Sequence, residues 1–159
     1  MKVYHGSRVV VEKPDTKHSR KRVDFGPGFY VTPLLEQAKS LCRRFLNMGQ
    51  DAYVSRYELD DAAFKADDVK TLVFEAYTEE WLDFVFDCRR GLDKSDYDVA
   101  TGGVANDKVF DTVELYFQDM ISKDEALKRL KYEKPNSQIC IRTQRVVDAY
   151  LHFEGSEKL

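Results

Sequence analysis

The chain has 159 residues, which suits one domain (1–159) whose core needs no disulfide or metal staple. A net charge of −3 excludes a global pull toward nucleic acid or an anionic membrane, so any such attraction has to be local. No apolar run approaches the roughly 20 residues of a membrane helix, and the opening MKVYHGSRVVVEKPD is too charged for a signal peptide, so a cytoplasmic protein is expected.

In chain order, residues 2–6 read as a short strand. SRVVVEKPDTKHSRKRVDFGPG (7–28) reads as a connection, long enough to suggest a functional role. GFYVT (28–32) is the next strand, and Pro33 opens a helix capped by Thr32 and stopped by Gly49. AYVSRYEL alternates as a strand, and TLVFEA follows as another. TEEWLDFVFDCRRG carries acids in its first turn, arginines in its last and glycine beyond, the pattern of a dipole-matched helix. YDVATGGVA is a strand running into a glycine turn, and NDKVFDTVELYFQD and SKDEALKRLKY are helices. SQICIRT is a strand, and VVDAYLHFE is expected to be the last one. The mixed order predicts an α+β fold, a split or bent antiparallel sheet with flanking helices.

Cys42, Cys88 and Cys140 form no C-x-x-C pair and suit buried free thiols in a reducing compartment. His18 and His152 have no ligand pattern beside them, so no metal is expected. No G-x-S-x-G turn supports a serine hydrolase.

Two stretches carry chemistry. In YHGS, His5 alone reads as a strand-end histidine hydrogen-bonded locally. Beside it, Gly6 lets a flat ligand approach the backbone and meet an N–H and a C=O side by side. In DFGPGFYVT, a glycine–proline turn enters a strand on which Phe29 and Tyr30 face opposite sides. One ring can anchor the core while the other offers its face to a heteroaromatic, above all a cationic one. The basic run Lys17–Arg22 reads as a solvated loop or, through Arg20, Lys21 or Arg22, as a grip on phosphate. In GGVAND, Asn106 reads as a helix cap, or with Asp107 as a group that orients a catalytic loop or receives a target nucleophile.

HGS on a first strand followed by GPGFYVT and a helix resembles the ADP-ribosyltransferase superfamily, in its diphtheria-toxin and poly(ADP-ribose)-polymerase branch. The succession YHGS, DFGPGFYVT, EWLDFVFDCRR, YDVATGGVANDKVF and SQICIRT resembles a bacterial domain family of unknown function, DUF3990, over nearly the whole chain. The resemblance implies a catalytic trio of His5, Tyr30 and the residue opening NSQICIRT, which here is Gln138 rather than glutamate. It implies NAD as substrate, held by His5, Gly6, Ser7, Phe29, Tyr30 and Arg22, with His5 on a ribose, the Gly6 backbone on the carboxamide and Tyr30 stacked on nicotinamide. Leu41 stands where polymerases carry a second stacking tyrosine. Gln138 can hydrogen-bond the ribose but adds no charge, which argues against polymer formation; Asp107 is a candidate for the missing carboxylate. The expected function is mono-ADP-ribosyl transfer to a protein or nucleic acid, as in a toxin or defence effector with an antitoxin or regulatory partner. The alternative is a weak or inactive sensor of NAD or ADP-ribose.

Overall fold

The computed structural model describes residues 1–103 and 107–159, Asp107 by its backbone alone. Among the described residues, seven strands form two sheets. The first is antiparallel, with β3 (Tyr53–Leu59) between β1 (Lys2–Ser7) and β7 (Leu151–Lys158). The second runs β2 (Phe29–Val31), β6 (Gln138–Ile141), β5 (Val99–Gly102), β4 (Thr71–Val73). The β4–β5 pair is parallel, so the α+β fold holds while the sheet is not antiparallel throughout.

The sheets meet at one point. Tyr4 N–H donates to Thr32 O at 2.8 Å, and Thr32 N–H to Tyr4 O at 2.9 Å. Beyond that bridge β1 continues along β3 while β2 pairs with β6, so the two strands part. Val3, Phe29, Tyr57, Leu59, Ile139 and Ile141 fill the core between the sheets.

Helix α1 (Leu35–Asn47) covers the outer face of β1 with Ala38 and Cys42. It starts two residues later than the sequence suggests: Pro33 precedes it, and Thr32 Oγ1 accepts from Leu34 N–H at 3.1 Å without being the cap. Its approach explains Gly6, where a Cβ would stand 2.6 Å from Ala38 O. Helix α2 (Glu79–Arg90) follows expectation, with Thr78 capping its N-terminus and Gly91 at φ 71° ending it. It packs Trp81, Leu82 and Val85 against Val109 and Val113 of α3 (Asp107–Phe117) and Ala126 and Leu130 of α4 (Lys123–Leu130).

The VVDAYLHFE segment departs from the predicted strand. Gln144–Tyr150 is a helix, α5, and only then does β7 begin. Val146 and Val147 are both buried, which adjacent residues of a one-sided strand cannot be but neighbours on a helix face can. Among the described residues no helix is long and apolar enough to cross a membrane, and no cluster of His, Cys, Asp and Glu could hold a metal ion.

Candidate active site

Where β1 and β2 part, a cavity of about 1010 Å³ opens. His5, Phe29, Tyr30, Leu41 and Gln138 line one side, and the loop of residues 8–24 lines the other. The loop has no helix or strand of its own but is tied down along its length. Val11 N–H donates to Ser55 Oγ at 3.2 Å and Val11 O accepts from Tyr57 Oη at 2.5 Å. Gln144 holds Thr16 N–H and Pro14 O, and Ser19 Oγ accepts from Gly28 N–H at 2.9 Å.

His5 bridges the gap between the diverging strands, its Nδ1 2.7 Å from Tyr30 O. A carbonyl only accepts, so Nδ1 carries the hydrogen and Nε2 of the neutral ring is left as an acceptor. Burial lowers the His5 pKa below the ordinary histidine value, opposed by the bond to Tyr30, so the ring is neutral at pH 7. It lies over Phe29 with centroids 4.6 Å apart, and Phe29 in turn meets Tyr57 edge-on. Phe29 thus joins His5 to the core.

Tyr30 lines the cavity, packs against the buried cluster that contains Phe25 and Cys140, and commits its hydroxyl to the preceding turn. Oη donates to Gly26 O at 2.5 Å and accepts from Phe25 N–H at 3.1 Å. Burial, and then the neighbouring Cys140, raise its pKa well above the tyrosine range, so the phenol keeps its proton. Gly28 continues this turn into β2 in tight quarters, since a Cβ there would lie 2.5 Å from Cys140 Sγ and 2.7 Å from Ile141 O. Burial pushes the Cys140 and Cys88 thiols up to about 12, which leaves neither a nucleophile.

Gln138 opens β6 opposite Gly102 and is only 7 % exposed. Its Nε2 is buried with no hydrogen-bond partner among the described residues, and the residue lines the cavity. A buried amide donor left unmade costs on the order of 1–3 kcal/mol, a cost that turning the amide toward a ligand oxygen in the cavity would remove.

Other expected residues lie differently. Gly6 and Ser7 are not among the lining residues, and Ser7 Oγ donates to Val9 O at 2.6 Å. The Gly6 N–H and C=O nevertheless point the same way as those of Tyr4, toward the β2 side, because alternate residues of a strand present their backbone groups to the same edge. Arg22 stands by Gly91 at the end of α2 and lines an adjoining cavity of about 570 Å³; Arg20 is the member of the basic run that borders both. Asn106 and the Asp107 side chain lie outside the described residues.

Sequence reasoning missed Asp24 and Arg89. Arg89 Nη2 is 2.6 Å from Asp24 Oδ1 and its Nη1 is 3.1 Å from Glu114 Oε1, tying the glycine turn to α2 and α3 at the cavity wall. In the sequence Arg89 reads only as a helix-end cation, and nothing local reveals its partners. Asp15 and His18, which also line the cavity, bond to each other at 2.7 Å. The short Asp–x–x–His spacing is the one signal that could have found them.

No match was found among curated proteins or among solved structures. The model of a family described as a protein of unknown function, DUF3990, matches residues 1–153, and its extent over nearly all the elements above shows that the chain belongs to the DUF3990 family.

Proposed function

We propose that the chain is a mono-ADP-ribosyltransferase of the diphtheria-toxin and poly(ADP-ribose)-polymerase-like branch, cleaving NAD and passing ADP-ribose to a macromolecule. The observation that carries this reading is Gln138, which lines the same cavity as His5 and Tyr30 and whose buried Nε2 has no hydrogen-bond partner among the described residues. A cavity of about 1010 Å³ is at the upper end of small-ligand sites, which suits a dinucleotide.

In this reading the Tyr30 face stacks on nicotinamide, and the Gly6 N–H and C=O take the carboxamide in the gap between β1 and β2. His5 Nε2 accepts from a hydroxyl of the adenosine-side ribose, and Gln138 Nε2 donates to a hydroxyl oxygen of the nicotinamide-side ribose. Leu41 covers the ring opposite Tyr30. The bond between the nicotinamide nitrogen and the sugar carbon breaks, its electron pair leaving with nicotinamide. The acceptor nucleophile supplies the pair for the new bond and loses its proton. Gln138 brings hydrogen bonding without charge, so the acceleration rests on holding and orienting the substrate, which favours single transfer over chain growth.

Incubating the purified protein with labelled NAD and cell extract tests this. The expected result is label on a macromolecule together with released nicotinamide, both reduced at least tenfold in His5→Gln. Neither labelled macromolecule nor free ADP-ribose would overturn it.

The uncharged Gln138 also favours a second reading, an NAD or ADP-ribose sensor that binds without cleavage. Calorimetry with NAD alongside a nicotinamide-release assay separates the two, since a sensor binds and releases nothing.

A further inference from the structure

We propose that the second cavity is an acceptor site for single-stranded nucleic acid, in which Arg20 and Arg22 grip phosphates and Phe110 stacks on a base. The inference rests on reading the main cavity as the NAD site. That cavity is large enough for a dinucleotide by itself, so the adjoining 570 Å³ is available to a second substrate. The two share Arg20, Val23, Asp24 and Arg89, so an acceptor held in one reaches into the other.

The charge of the second cavity runs against that of the chain. Four arginines (20, 22, 89 and 90) line it against two carboxylates, Asp24 and Glu114, in a protein of net charge −3. Arg89 pairs with both carboxylates, and Arg90 donates to Phe117 O at 2.9 Å. Arg20 and Arg22 are exposed and form no ion pair among the described residues, so two guanidinium forks stay open for bidentate phosphate contacts.

An acidic peptide would satisfy the charge alone; the ring argues for a nucleotide. Phe110, Glu114 and Phe117 form one stripe of α3 along the cavity, and Phe110 is 45 % exposed with the Arg89 guanidinium 5.3 Å from its centroid. An exposed phenyl beside open guanidiniums is the pairing used to bind single strands, where stacking tolerates any base. The concave shape and small volume take a nucleotide or two and not a duplex.

Fluorescence anisotropy with fluorescein-labelled mixed-sequence 8-mers of single-stranded DNA and RNA provides the test, with NAD titrated by calorimetry into the same preparations. Two phosphate contacts predict binding that weakens about sevenfold from 50 to 200 mM salt, a log–log slope of about −1.4, and Arg22→Ala should remove about 0.7 of it. Phe110→Ala should weaken binding at least fivefold, while Arg145→Ala, at an arginine that pairs with Asp68 and Asp98 and lines neither cavity, should leave it unchanged. The proposal is overturned by absence of binding to both oligomers at 50 mM salt. It is also overturned if Arg22→Ala and Phe110→Ala leave affinity unchanged, or if a polyglutamate peptide of equal charge displaces the oligomer at equal concentration. Retained NAD binding in those cases keeps the transferase reading standing, whereas oligomer binding without NAD binding sinks that reading instead.

Discussion

Gln138 is a buried side chain whose solvation is sacrificed to a cavity, and that makes a two-sided prediction. Gln138→Met keeps the volume and removes the unpartnered amide, so urea unfolding should show stability unchanged or higher by about 1 kcal/mol. Calorimetry on the same variant should show NAD affinity at least tenfold lower. A structural glutamine would instead lose stability and keep affinity. His5 makes a pH prediction. Its folded pKa is depressed by burial, so the unfolded chain binds the proton first as pH falls. The stability it contributes is fully present above an unfolded pKa of about 6.5 and is lost as pH falls through the lower folded value. Between pH 7.5 and 5 the wild-type melting temperature should drop more steeply than that of His5→Gln, with nicotinamide release falling in the same window. Equal slopes would refute the role of burial. The sequence marks His5, Tyr30 and Gln138, but the tautomer of one, the committed hydroxyl of another and the orphaned amide of the third follow from neighbours distant in the chain.

The candidate site arises at the level of elements, because two strands join at one pair and then diverge. Gly6 keeps that geometry by letting α1 lie close on β1. Gly6→Ala forces a Cβ to within 2.6 Å of a backbone oxygen, which cannot swing away as a side chain can. A loss of about 1–3 kcal/mol in denaturant unfolding is expected, together with weaker NAD binding as Leu41 shifts with the helix. Unchanged stability would mean that the helix is free to move. Helix α2 is legible because its first-turn acids, last-turn arginines and glycine are all local signals, to which the structure adds the Thr78 cap. Helix α5 was not: Val146 and Val147 have strand propensity, and it is their common burial that favours a helical turn. The start of α1 was misplaced for a similar reason, as Thr32 is drawn into the inter-sheet bridge and a bond to Ser137 O at 2.7 Å instead of capping.

At the scale of the whole molecule, an ion pair between distant segments braces the glycine turn that leads into β2. Arg142, one residue beyond β6, pairs with Asp93, donates to Ser95 Oγ at 3.0 Å and lies beneath Gly26 of the glycine turn. Both charges are largely buried, so Arg142→Ala leaves Asp93 without its guanidinium and should cost about 3–5 kcal/mol in urea unfolding. A change below about 1 kcal/mol would mean that the pair is solvated. NAD at 100 times its dissociation constant should in turn stabilise the wild type by about 2.7 kcal/mol. By itself the sequence determined the α+β class, most of the strands and helices and the residues that could carry the chemistry, because hydrophobic period, caps and turn glycines act over a few residues. Only the tertiary structure decided that β1 and β2 part after Tyr4 and Thr32, that Arg20 rather than Arg22 borders both cavities, and that Gln138 Nε2 meets no partner among the described residues. Those outcomes depend on which surfaces pack together across more than a hundred residues, and no local preference encodes them.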